Sequence, residues 1–349
     1  QNKLPQSPSS SIAMAKTVLI TGASGFIATH TIDAFLRKGY NVRGTVRSQK
    51  SGSEVLKTHF KYPGQLTLAV VPDIAAPNAF DEAVKGVDGI IHQASPFILN
   101  ATDFEKELFQ PAIKGTTTVL ESAQKYNPDI TRVVITSSFA SVVDINQGLR
   151  PGYTYTESDW NPVTAETAGA NGVVAYLASK TFAERAAWDY VRDNQPNFEL
   201  TTLLPPMVYG PLDHHVDDMA KLNTSSADIY RLFNGSEKQV PDTSFWAFAD
   251  VRDLAEAHIQ AFEKPEAAGQ RYLIANSSYS YQMIVDIIRG KFPELQEKTP
   301  KGDAGAQLPP VYQLDTSKAT NELGIVFRPL EETIVDTVTS LIALQKSIS

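Results

Sequence analysis

The run TVLITGASGFIATHTIDAFLRKGY, residues 17–40, narrows the fold more than any other part of the chain. A short strand-forming segment enters a turn carrying Gly22 and Gly25, with Ala28 as a third small position, and the turn leads directly into a helical stretch. Glycine allows the tight turn and a close approach of backbone to ligand, while the helix N-terminus favours negative charge. Strand, glycine turn and helix in that order form a pyrophosphate cradle, so Gly22 and Gly25 are expected to contact a dinucleotide.

Further strand candidates follow: NVRGTVR, LTLAVVPDI, GIIHQAS, RVVITSS and ELTTLLPP, with helical patterns over residues 26–38, 80–87, 107–126 and 176–194. Six strands alternating with helices predict an α/β fold, a doubly wound parallel sheet of the Rossmann type. After about residue 206 the alternation gives way to loops and helices, with a short strand RYLIA near residue 272 and an amphipathic helix from residue 330. The expected organisation is a polar, Ser-rich leader or added remnant over 1–13, then a dinucleotide-binding Rossmann domain over 14–205 with a returning segment at about 245–262. A smaller, mostly helical substrate-binding cap takes 206–244 and 263–349.

Composition removes several function classes. The 349 residues carry a net charge of -8 and no basic run, which opposes binding to nucleic acid. With no cysteine there are no disulfides, thiolate nucleophiles or thiolate zinc sites. His214 and His215, followed by Asp217 and Asp218, fall in a loop without a scaffold for defined ligand geometry, so they are expected to be polar residues facing solvent and no metal is expected. The sequence contains no apolar stretch of membrane-spanning length and no secretory signal, so a cytoplasmic protein without a membrane partner is expected, as a monomer or homodimer.

The end of the second strand bears on the choice of dinucleotide. An acid there would hold a ribose 2'-hydroxyl, but GTVRSQK has none between Gly44 and Lys50. Arg47, helped by Ser48 and Lys50, suits a 2'-phosphate through its planar donors, so NADPH is expected. In VVPDI, Asp73 is placed for the adenine amino group with the Ile74 backbone alongside, or is an ordinary helix cap.

In VVAYLASKTFAERAAW, Tyr176 and Lys180 stand four residues apart, one above the other on a helix. An ammonium beside a phenol favours its ionised form and makes it a proton donor near neutral pH. RVVITSS places hydroxyls at the carboxyl edge of the sheet, where doubly wound folds bind ligands; Ser138 is the candidate to steady a substrate carbonyl, and Ser137 stays open because one residue of slippage reverses the facing.

The strings TGASGFIA, RSQ, VVPDI, ASPF, RVVITSS, WNP, AYLASKTFAERAAW, VYGP, LNTS, DVRDLAEAH and FRPLEETIVDT span residues 17–337. Through them the chain resembles the extended short-chain dehydrogenase/reductases, in the dihydroflavonol reductase and cinnamoyl-CoA reductase branch. Within that branch it is most similar to the yeast NADPH-dependent methylglyoxal (3-methylbutanal) reductases and fungal carbonyl reductases. The resemblance implies an NADPH-dependent carbonyl reductase acting on an aldehyde, ketone or 2-oxo compound, with Ser138, Tyr176 and Lys180 as its catalytic set. Tyr176 would protonate the forming alkoxide, Lys180 would lower the tyrosine pKa and hold the nicotinamide ribose, and Ser138 would donate to the carbonyl oxygen. Implied cofactor contacts are Gly22, Ser24, Gly25, Phe26, Ile27, Arg47, Asp73, Ile74, Val208 and Ser225. Phe97, Phe139, Val173 and Met207 are the expected pocket walls, apolar and therefore suited to a hydrophobic carbonyl. Two other readings share this framework: a sugar-nucleotide epimerase or dehydratase that retains its cofactor, and an inactive NADP-sensing regulator.

Overall fold

The computed structural model describes residues 15–95 and 103–348; the expected leader and Phe97 lie outside the described residues. Strand β1 (Thr17–Ile20) passes through the glycine turn into helix α1 (Phe26–Arg37), followed by β2 (Asn41–Val46), α2 (Gln49–Thr58) and β3 (Leu66–Val70). Next come β4 (Gly89–His92), α3 (Gln110–Tyr126), β5 (Arg132–Thr136) and the two-residue β6 (Thr154–Tyr155). Helix α4 (Gly172–Asn194) then leads to β7 (Glu199–Leu204), β8 (Met207–Tyr209), α5 (Thr224–Arg231), β9 (Phe248–Asp250) and α6 (Val251–Glu263). The chain closes with β10 (Gln270–Leu273), α7 (Tyr281–Lys291), β11 (Gln313–Leu314) and α8 (Leu330–Ile348).

Seven strands form one parallel sheet in the order β10-β7-β5-β4-β1-β2-β3. The order reverses between β1 and β4, and the crevice beyond the carboxyl ends of such strands is where a doubly wound sheet receives a ligand. Alternation along β1 explains the two covering layers. Val18 and Ile20 pack with Phe35 of α1 and Leu254 of α6, while Leu19 faces Val119 of α3 and Ala187 of α4. A separate core joins Tyr209, Ile229, Phe248, Tyr279, Ile284 and Ile334, from segments that follow β7.

The structure departs from the sequence reading at three places. The RYLIA segment, expected in the cap, is the seventh strand of the main sheet: Gln270 to Leu273 of β10 pair with Thr201 to Leu204 of β7. The returning segment therefore extends past residue 262 to Leu273, because a four-residue strand after a long excursion gives no local sign of its partner. Residues 80–87 form consecutive turns rather than a helix. One bond, Val84 N–H to the Phe80 carbonyl at 3.0 Å, closes a single turn, and Gly86 at φ +67 ends it; so short a stretch cannot offset helix nucleation. Helix α2 was hidden by its Ser and Gly content; a reciprocal cap between Ser48 and Ser51 starts it.

Candidate active site

The glycine turn is built around Gly22. Its φ of +71 lies in the left-handed region, and a Cβ there would sit 3.1 Å from the Ala94 Cα, just beyond β4. Glycine is thus needed both for the backbone angle and for the approach of the turn to the neighbouring strand. Gly25 heads α1 in extended conformation with no side-chain cap, leaving the first-turn amides without a side-chain acceptor. Ser24 and Gly25 are exposed, Ile27 is half-buried, and Phe26 is buried edge-on to His30 and His214.

Arg47 and Lys50 are exposed at the end of β2 and the start of α2. Beside them a cavity of about 230 Å3 is lined by Ser24, Ser48, Lys50 and Ser51 and, from the opposite side, by His214 and His215. The two histidines differ. His214 is pushed down to about 4, first by burial, whereas His215 is exposed and lies 3.5 Å from the Glu54 carboxylate. The surface reading therefore fits His215 and fails for His214. Among the described residues, no group of three or more His, Asp or Glu could hold a metal ion. Asp73 caps its own turn, accepting from the Ala75 N–H at 2.9 Å, while Ile74 packs over Gly115. Ser225 accepts from the Asn223 amide at 2.9 Å; next to it, Asn223 Oδ1 and Ser226 Oγ are buried without a hydrogen-bond partner. Val208 is buried in β8.

Helix α4 carries Tyr176 and Lys180 to the end of β5. Asn171 starts the helix, accepting from the Val174 N–H at 3.0 Å. Ser138 follows β5 and caps a short helical turn, accepting from the Ala140 N–H at 3.1 Å. Its hydroxyl also hydrogen-bonds the Tyr176 phenol. Burial pushes the phenol pKa up, and the Ser138 bond works in the opposite direction. Lys180 Nζ donates to Ser95 Oγ at 2.9 Å, and burial pushes the amine down to about 8. The expected tuning of the phenol by the ammonium is therefore not what governs it here: burial outweighs the rest and holds Tyr176 protonated.

Ser137, the alternative to Ser138, turns inward and donates to Glu184 Oε2 at 2.6 Å. Of the expected pocket walls, Val173 is 58% exposed one helical turn before Tyr176, and Met207 is half-buried in β8. Phe139 differs from expectation. It is 1% exposed and packs against Tyr155 and Tyr312, so its ring belongs to the core beneath the site. Sequence reasoning passed over Ser95 and Glu184. Ser95 ends GIIHQAS by the same strand-end logic that singles out Ser138, and Glu184 stands four residues past Lys180 on the same helix face.

Comparison with known proteins identifies the family and the fold. The NAD dependent epimerase/dehydratase family matches residues 18–275. The NADPH-dependent methylglyoxal reductase of Saccharomyces cerevisiae is 37% identical over 343 residues, covering 95% of this chain and 100% of that protein. A ketoreductase of Aspergillus niger is 40% identical over 339 residues, covering 95% and 98%. The crystal structure of yeast methylglyoxal/isovaleraldehyde reductase complexed with NADPH superposes with a TM-score of 0.89 at 36% identity, covering 95% of this chain and 99% of that one. These matches run over nearly the whole length of the relatives, and the superposition covers the whole doubly wound sheet and the segments that follow it. The chain belongs to the NAD dependent epimerase/dehydratase family, the extended short-chain dehydrogenase/reductases.

Proposed function

We propose that the protein is an NADPH-dependent carbonyl reductase converting a small aldehyde, ketone or 2-oxo compound to an alcohol. The observation that carries this reading is the Ser138–Tyr176 hydrogen bond at the carboxyl edge of the sheet, with Lys180 on the same helix and the glycine turn at the switch point. The residues present fit the cofactor. Gly22 holds the turn in the left-handed region close against Ala94, the N-terminus of α1 carries no side-chain cap, and Asn223 Oδ1 and Ser226 Oγ are buried without partners beside Ser225. Arg47 and Lys50 would hold the 2'-phosphate; Gly22, Ser24, Gly25, Phe26 and Ile27 the pyrophosphate; Asp73 and Ile74 the adenine; and Val208 and Ser225 the far end.

NADPH held there supplies the hydride from nicotinamide C4. Ser138 Oγ donates to the substrate oxygen, stabilising negative charge as it develops. Tyr176, kept protonated by burial, gives its phenolic proton to that oxygen. Lys180, pushed down to about 8 but charged at neutral pH, stabilises the phenolate left behind and orients the ribose. Val173 and Met207 present apolar surface to the substrate. This reading includes a cytoplasmic enzyme, monomeric or homodimeric, with the segments around α5, α7 and α8 closing over the substrate.

Incubation with NADPH and a panel of carbonyls, including methylglyoxal, 3-methylbutanal and hydrophobic ketones, tests the proposal. NADPH should be consumed in step with alcohol formation. Turnover of a sugar nucleotide without net NADPH consumption would replace reduction with epimerisation.

A further inference from the structure

Glu184 is an expensive residue to bury. Its side chain is fully enclosed, and a carboxylate out of water needs close compensation. Arg271 of β10 supplies the opposite charge, with Nε 2.8 Å from Oε1; its guanidinium also lies 3.7 Å over the Trp160 ring and donates to the Asp159 carbonyl at 2.9 Å. Thr202 of β7 and the Trp188 indole donate to Oε1 at 2.8 Å and 3.3 Å. The remaining two donors come from the turn that carries Ser138. Ser137 Oγ donates to Oε2 at 2.6 Å, and Ser141 Oγ closes on the same oxygen.

These two hydroxyls bracket Ser138. Ser141 Oγ also lies 2.8 Å from the Ser138 carbonyl, but it has one proton, and the charged acceptor is the stronger. Ser138 itself is loosely held through its side chain: beyond the Ala140 N–H and Tyr176, the described residues offer its hydroxyl only the Pro205 carbonyl at 3.5 Å. Its position is therefore set by the turn. Glu184, two helical turns past Tyr176, joins that turn to the helix bearing the proton donor.

We infer that Glu184, held by Arg271, is a positioning residue that fixes Ser138 opposite Tyr176 by gripping Ser137 and Ser141. The inference rests on the reading of Ser138 and Tyr176 given above. A displacement of about 1 Å in such a group can cost about 100-fold in rate, so the grip matters for turnover even where the fold survives.

A double-mutant cycle tests this in the full chain, with rates taken well below each variant's melting temperature. Removing Glu184 would leave Arg271 uncompensated, so the cycle uses the hydroxyls. Ser141→Ala is expected to lower kcat about ten-fold or more while the NADPH dissociation constant stays within about two-fold. Thr202→Val removes a donor to the same carboxylate from outside the turn; it should lower the melting temperature similarly and leave kcat within about two-fold. In a Ser138→Ala background, Ser141→Ala should cost no further kcat. The inference is overturned if Ser141→Ala and Thr202→Val lose kcat alike, in proportion to melting temperature, or if Ser141→Ala costs as much with Ser138 absent as present. Wild-type kcat in Ser138→Ala alone would instead overturn the underlying reading of the site.

Discussion

Tyr176 and Lys180 occupy one face of α4, and burial acts on them in opposite senses: it raises the phenol and lowers the amine, in each case favouring the uncharged form. A phenol kept protonated has a proton to give in the direction of reduction. Replacing Tyr176 by Phe removes that proton and little else, so turnover should drop by about 100- to 10,000-fold with NADPH affinity nearly unchanged, as steady-state kinetics and cofactor fluorescence would show. Retained turnover would remove Tyr176 from its role. At the other end of the cofactor, Arg47→Asp reverses a charge placed for the 2'-phosphate. We expect about 10- to 100-fold weaker NADPH binding and a much smaller change for NADH; equal losses for the two would mean that Arg47 touches no phosphate.

Among the elements, the glycine turn was the most legible, because its chemistry is local: Gly22 at φ +71 against Ala94 is what a tight strand-to-helix turn demands. Gly22→Ala should cost about 1–2 kcal/mol from the left-handed backbone alone, read as a lower melting temperature, and should weaken NADPH binding further. The strands of the main sheet up to β7 were legible for the same reason, each being a short run containing β-branched residues, whereas the two-residue β6 was not. What the sequence hid depends on distance. Nothing near residue 272 says that Gln270–Leu273 lies against Thr201–Leu204, nor that Phe139 turns its ring towards Tyr155 and Tyr312. Glu184 was invisible as well, since its five partner residues come from four separate stretches of chain. The spacing of Tyr176 and Lys180 announced the pair but not the dominance of burial over their mutual charge, which is a property of the assembled site.

Across the whole molecule, burial of histidine sets the response to acid. Five of the six histidines, His30, His59, His92, His214 and His258, have lowered pKa values, each first through burial. His92 is pushed down to about 3 and His258 to about 4. Below pH ~6.5 the unfolded chain takes up protons at these positions that the folded chain refuses, so folding stability falls as the pH falls from there towards 4. Asp253, raised by burial to about 6, and Glu157, also raised first by burial, work the other way, because between the unfolded and folded pKa values of each the folded form binds the extra proton. Five groups against two leave a net loss, and the melting temperature should fall steadily from pH 7 to pH 4.5 in a thermal scan. A flat profile would show that these imidazoles are accessible to water.

The position of β10 has a temporal consequence. During synthesis the nucleotide cradle and the strands from β1 to β7 leave the ribosome well before Gln270–Leu273, so β7 waits with an unpaired edge open to other chains. Arg271 arrives with that strand, and only then does the Glu184 carboxylate, already drawn inward by the serines, meet its counter-charge. The nascent protein can thus assemble its dinucleotide fold early, whereas the ion pair behind the catalytic turn is completed only once β10 has emerged, making chaperone protection of β7 most valuable in that interval.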